Sequence, residues 1–95
     1  MIKRIVKLTF QEEKIPDFLE IFEASKKRIC AFEGCEHLEL WRAKQPSNVL
    51  FTYSYWQSEE ALNNYRKSDF FAATWHKTKA LFAERAKAWS VEMIE

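Results

Sequence analysis

Residues 48–57 alternate with period two, and both faces this creates are largely apolar or aromatic. Val49, Phe51, Tyr53 and Tyr55 fall on one side; Leu50, Thr52, Ser54 and Trp56 fall on the other. A strand of this kind needs cover on both sides. That requirement limits the chain more than any other feature, because 95 residues build one domain and leave little material for a second layer.

The remaining segments suit a single sheet. Residues 2–10 read as a strand with Ile2, Val6, Leu8 and Phe10 on one face. Residues 35–43 pair with 48–57 as a hairpin around Lys44-Gln45-Pro46-Ser47. In the first arm Glu36, Leu38, Leu40 and Arg42 alternate with Cys35, His37, Glu39 and Trp41. Residues 88–94 read as a closing strand, with Trp89, Val91 and Met93 on one face.

Two helical stretches separate these strands. Over residues 14–32, Ile15, Phe18, Leu19, Phe22, Ser25, Ile29 and Phe32 recur at helical spacing. Pro16 sits in the first turn, where it lacks only a spare donor. Lys26, Lys27 and Arg28 suit the negative end of the helix dipole, and Gly34, the only glycine, suits the turn beyond it. Ser58 caps a short helix reaching Tyr65 or Arg66. Ser68-Asp69 restarts a helix to about Ala83, with Phe71, Trp75, Thr78 and Phe82 in one stripe.

The order predicts an α+β chain of ferredoxin-like βαββαβ type, with an antiparallel sheet and both helical segments on one face. The other face is then bare and apolar, and a second copy of the chain is the simplest cover.

Other classes find little support. The net charge is +1 with the signs interspersed, so no basic footprint marks a nucleic-acid partner. No run approaches the ~20 apolar residues of a membrane span. Met1 to Phe10 has no signal-peptide core, so a cytoplasmic location with reduced cysteines is expected. Cys30 and Cys35 lack the spacing of a zinc site. No Ser-His-Asp set, phosphate-binding glycine loop or HExxH motif is present.

Gly34-Cys35-Glu36-His37-Leu38-Glu39-Leu40, then Tyr53 to Leu62 with its Trp56 and Glu59-Glu60-Ala61-Leu62, then Ser68-Asp69-Phe70, together carry a resemblance. The chain resembles the antibiotic biosynthesis monooxygenase family of dimeric α+β barrel proteins. The resemblance implies a homodimer packed through its sheets, with a cavity between each sheet and its own helices. It also implies, as in some members, oxygenation of a small aromatic or quinol-like substrate without metal or flavin. The substrate anion itself then reduces O₂. A non-catalytic ligand-binding dimer is the alternative.

The resemblance places Trp56 and Thr52 as cavity groups, Trp56 able to donate its N–H to a substrate oxygen. Where some oxygenases have Asn, Thr52 offers only a hydroxyl. Tyr65, Phe71, Trp75 and Phe82 are expected to line the substrate pocket. His37, beside Glu39 on one strand face, is the candidate base, with a role in the dimer interface as its competing reading. Arg66 and Lys67 are expected to be solvated, and Arg42 is not singled out.

Haem degradation, known in some relatives, is disfavoured. The ring at position 65 is Tyr, and ten residues on stands Trp75 rather than His. His76 falls about 100° off the apolar stripe. Arg4, Ile5, Val6 and Lys7 stand where those relatives have a first-strand Asn.

Overall fold

The computed structural model describes residues 1–95 and contains four strands in one antiparallel sheet, ordered β2-β3-β1-β4. The elements are β1 (Ile2–Phe10), α1 (Ile15–Cys30), β2 (Cys35–Arg42), β3 (Val49–Trp56), α2 (Glu59–Arg66), α3 (Asp69–Lys79) and β4 (Phe82–Val91). This is the ferredoxin-like α+β order, and the sheet is open rather than closed on itself.

β1 and β3 pair in continuous register from Ile2↔Trp56 to Thr9↔Val49. That register puts the even-numbered residues of both strands on the helix-covered face. Leu8, Phe10 and Leu50 there join Ile15 and Phe18 of α1 in one buried cluster. Ile29, Trp56 and Leu62 form a second cluster nearer α2. The odd-numbered residues point the other way, where Trp41 stacks on Tyr53 at 4.5 Å between ring centres. Trp41 and Trp89 are 41% and 47% exposed, so this face is left without cover in a single chain.

Local signals explain the helix ends. Ser58 caps α2 by accepting from the Ala61 N–H at 3.1 Å. Ser68 has a double part at the break: its Oγ donates to the Tyr65 carbonyl at 2.7 Å and accepts from the Phe71 N–H at 3.1 Å. One side chain thus closes α2 and opens α3, fixing the rings of Tyr65 and Phe71 relative to each other. They meet edge to face at 5.1 Å.

Two boundaries differ from the sequence reading. A short 3₁₀ turn, Glu12–Lys14, precedes α1, and α1 stops at Cys30 rather than at residue 32. More substantially, the second helical segment ends at Lys79, and β4 begins at Phe82 instead of residue 88. Phe82 therefore belongs to a strand, opposite Phe10. The segment from Ala83 to Ala88 is rich in Ala, Glu, Arg and Lys, which favour helix. Pairing with β1 overrides that preference. Two register shifts, between Lys7 and Thr9 and between Thr9 and Phe10, absorb the extra β4 residues. Residues 92–95 continue no strand, so Met93 and Ile94 lie beyond the sheet.

Gly34 is required where it stands. Its φ is +87°, and an added Cβ would lie 2.4 Å from the Ala61 Cβ at the start of α2. Its carbonyl also accepts from the Gln57 N–H at 2.8 Å. Gly34→Ala should destabilise the fold by about 1–3 kcal/mol through strain and clash. Chemical denaturation measures this, and adding Ala61→Gly should restore the part that comes from the clash. An unchanged midpoint for Gly34→Ala would contradict the account.

Candidate functional site

A cavity of about 270 Å³ lies between the sheet and the helices, in the gap separating the two core clusters. That is just under the range typical of small-molecule sites, about 300–1,000 Å³. It exists because several inward positions are small. β4 presents Ala86 and Ala88, β3 presents Thr52 and Ser54, and α1 presents Ser25. Large rings of Phe18, Phe22, Trp56, Tyr65, Phe71 and Trp75 form the walls. Trp56 stacks on Tyr65 with centres 5.0 Å apart, and Phe71 stacks on Trp75 at 5.8 Å. Of the lining residues, only Arg66 and Ala88 are exposed, so the mouth lies between the end of α2 and β4.

Five of the residues singled out in the sequence meet here: Thr52, Trp56, Tyr65, Phe71 and Trp75. Trp56 is a wall and not a free donor. It is 1% exposed, and its indole N–H already donates to the Ser54 Oγ at 3.0 Å. Burial, with a smaller contribution from Cys35, pushes the Tyr65 phenol far above its ordinary range, so it keeps its proton.

Two of the residues lie elsewhere. Phe82 stands behind Trp75, edge to face at 5.6 Å, and lines a separate shallow groove with Lys79 and Arg85. His37 is on the opposite face of the sheet, hydrogen-bonded to Glu39 and packed near Tyr55 at 5.2 Å. Strand alternation separates it from Trp56 and Thr52, because His37 is paired with the odd-numbered Tyr55.

That open face carries its own polar network. Glu39 accepts from the Trp41 indole at 2.7 Å and from His37, and these bonds, Trp41's first, hold its carboxyl below the ordinary range. Tyr53 donates to the Tyr55 hydroxyl at 3.2 Å. Cys35 and Cys30 are free thiols, and burial pushes Cys35 up to about 11, so it is protonated and unreactive at neutral pH.

The sequence reading passed over the two charged groups of the cavity. Arg4 and Arg66 both line it, and no Asp, Glu, His or Lys does. Arg66 is exposed, as anticipated, but stands at the mouth rather than in open solvent. Arg4 could have been noticed, since it interrupts the apolar stripe Ile2, Val6, Leu8, Phe10. His76 is exposed and outside the cavity, whose lining contains no histidine.

Residues 1–77 match the family described as antibiotic biosynthesis monooxygenase. The chain belongs to this family. Solved structures share the fold closely at low identity. One, of an antibiotic biosynthesis monooxygenase, superposes with a TM-score of 0.92 at 14% identity, covering all of both chains. A conserved protein from Methanosarcina mazei gives 0.90 at 17% identity, covering 95% of this chain and 89% of its own. Rv0793 from Mycobacterium tuberculosis gives 0.90 at 14%, covering 99% and 95%. No curated protein matches the sequence. No helix is long and apolar enough to cross a membrane.

The mouth gives a direct test of the cavity. Ala88→Phe should set a ring across it and abolish uptake of a neutral aromatic probe such as 2-naphthol, measured by calorimetry. Because the position is exposed, thermal stability should move by no more than about 0.5 kcal/mol. Undiminished binding in a folded Ala88→Phe variant would mean the probe binds elsewhere.

Proposed function

We propose that the chain is a homodimeric monooxygenase, needing neither metal nor flavin, that acts on a small aromatic or quinol-like molecule held in this cavity. The ring-walled space between the sheet and its own helices carries the reading, together with family membership. Flat rings favour flat ligands, and the walls exclude water from most of the bound surface.

The reaction asks little of the protein beyond holding and ionising the substrate. A phenolate or enolate is the electron donor to O₂. For an anthrone, the ring methylene becomes a carbonyl. One oxygen atom enters that carbonyl, the other leaves as water, and the substrate supplies all four electrons. No titratable base lines the cavity, so the proton leaves to solvent at the mouth. The positive charges of Arg4 and Arg66 favour the ionised substrate there. In this reading Trp56 positions the ring by stacking, and Thr52 supplies a hydroxyl contact. His37 and Glu39 belong to the subunit contact.

One observation favours the alternative of a binding protein without catalysis. The indole N–H of Trp56 is already engaged by Ser54, which leaves the substrate oxygen without that donor. An oxygen electrode separates the two readings. A panel of hydroquinones and anthrones, with chelator present, should consume O₂ faster than autoxidation, and Ala88→Phe should remove the excess. Probe binding without oxygen consumption across the panel would favour the binding protein.

The dimer rests on the uncovered face. Trp41, Tyr53, Tyr55 and Trp89 give it aromatic area, with Glu39 on the β2 side and Lys7 opposite Lys87 on the β1–β4 side. Such a face is self-complementary under a two-fold axis, acid meeting base. Sedimentation at micromolar concentration should give twice 11.4 kDa, and Trp41→Arg should shift the mass toward 11.4 kDa. A wild-type mass of 11.4 kDa would sink the dimer.

A further inference from the structure

We propose that the cavity selects an aromatic ligand bearing a separate anionic head group, a carboxylate or a phosphate, which Arg4 and Arg66 hold at the mouth while the ring enters among Phe71, Trp75 and Trp56. The inference rests on the proposed role of the cavity as a binding site and adds the charge of what it binds.

Position is the first argument. Arg4 lies on the covered face of β1, between Ser54 of β3 and Ser90 of β4 in register. Its Nη1 donates to the Ser90 Oγ at 3.1 Å, close to the Ala88 side of the mouth. Arg66 ends α2 across that mouth. A guanidinium set on a sheet's covered face is costly unless something compensates it.

Nothing in the chain does. The salt bridges are Lys26–Glu23 and His37–Glu39, so neither arginine has a carboxylate partner. The serine hydroxyl that Arg4 meets is neutral and satisfies one of five donors. The two positive groups also act on each other. Burial first, and then the charge of Arg66, hold the Arg4 guanidinium below its ordinary range, although it stays protonated at neutral pH. A pair of like charges at one opening, lined by no acid, is matched by an anion from outside. Two planar forks suit the oxygens of a carboxylate or phosphate.

The depth of the site sets the orientation. Arg66 is exposed, and the half-buried Arg4 bonds outward to the exposed Ser90, whereas Trp56 is buried. A ligand that placed its anion inward would lose both arginines and bury its charge among aromatic walls.

Calorimetry with three ligands of one shape tests this: 2-naphthol, 2-naphthoate and 2-naphthyl phosphate, at pH 7 and low salt. At least one of the two anions should bind about tenfold or more tightly than the neutral phenol, the measure of one charge-assisted hydrogen bond. Added salt should erode that preference. Arg66→Met and Arg4→Met should each reduce it while still binding 2-naphthol. Both variants, free of ligand, should melt no lower than wild type, because each removes one of two uncompensated charges. Comparison of naphthoate with naphthyl phosphate identifies the head group. Equal affinities for anions and phenol overturn the inference while leaving the cavity reading intact. So does a preference that survives in both folded variants. Failure of all three ligands to bind overturns the cavity reading and this inference with it.

Discussion

The register of β1 against β3 is the constraint on which the rest depends. Strand side chains alternate, so the pairing of Ile2 with Trp56 decides at once which residues meet the helices and which meet the exterior. It brings Val6 beside Thr52 in the cavity lining and Arg4 beside Ser54 toward its mouth. The same register sends Ile5, Tyr53 and Tyr55 to the uncovered face. A slip by one residue would bury Lys3 and Lys7 under α1 and expose Leu8 and Phe10. The buried cluster of Leu8, Phe10, Phe18 and Leu50 opposes that slip, since each such side chain contributes about 1.5–3 kcal/mol on burial.

The cavity follows from what that register leaves unfilled. Between the two clusters, the inward positions of β4 are Ala86, Ala88 and Ser90, and those of β3 are Thr52 and Ser54. Larger apolar residues at the less exposed of these, Ala86, Thr52 and Ser54, would join the clusters into one core and stabilise the fold. Protein interiors are otherwise close-packed, so a run of small residues facing large rings is a departure that stability does not explain. Ser68 acts in the same direction. By joining the end of α2 to the start of α3, it holds Tyr65 and Phe71 edge to face as one wall of the gap.

Much of this was legible in the sequence, and the exceptions have physical causes. Period-two alternation located β1 to the residue, because Ile2 to Phe10 has a clean covered face apart from Arg4. The serines at 58 and 68 marked both helix starts, since their hydroxyls meet local needs that depend on no tertiary contact. The start of β4 was hidden for the opposite reason. Only the ladder to β1 makes a strand of Phe82 to Lys87, and composition there argues for helix. Trp56, Tyr65, Phe71 and Trp75 were found through the family pattern and their ring chemistry, and Thr52 through its place on the Trp56 face of β3. His37 was read both as a base beside a carboxylate and as an interface residue, and alternation along β2 puts it with Glu39 and Trp41 on the far side of the sheet from Leu38 and Leu40, away from the cavity. Arg4 was overlooked because charge within an apolar stripe reads as noise until its partners are known to be absent.

The two faces of the sheet differ in the charges they carry. On the open face, Glu39 is held by Trp41 and His37, and Lys3 lies over the Tyr55 ring at 4.9 Å. Glu39 and Lys3 are thus held within the chain, while Lys7 and Lys87 stand opposite each other as the basic part of the proposed subunit contact. On the covered face, Arg4 and Arg66 oppose each other and find no acid. Exposure at the mouth lowers that repulsion, which is why a folded chain tolerates it. It does not remove it, and a hydrophobic residue at position 4 would complete the stripe of Ile2, Val6, Leu8 and Phe10. An arrangement that weakens the empty fold, beside inward positions kept small, places both costs at one opening. A flat ligand with negative charge at its outer end offsets both together: its ring fills the space between the clusters, and its charge meets the two guanidinium groups.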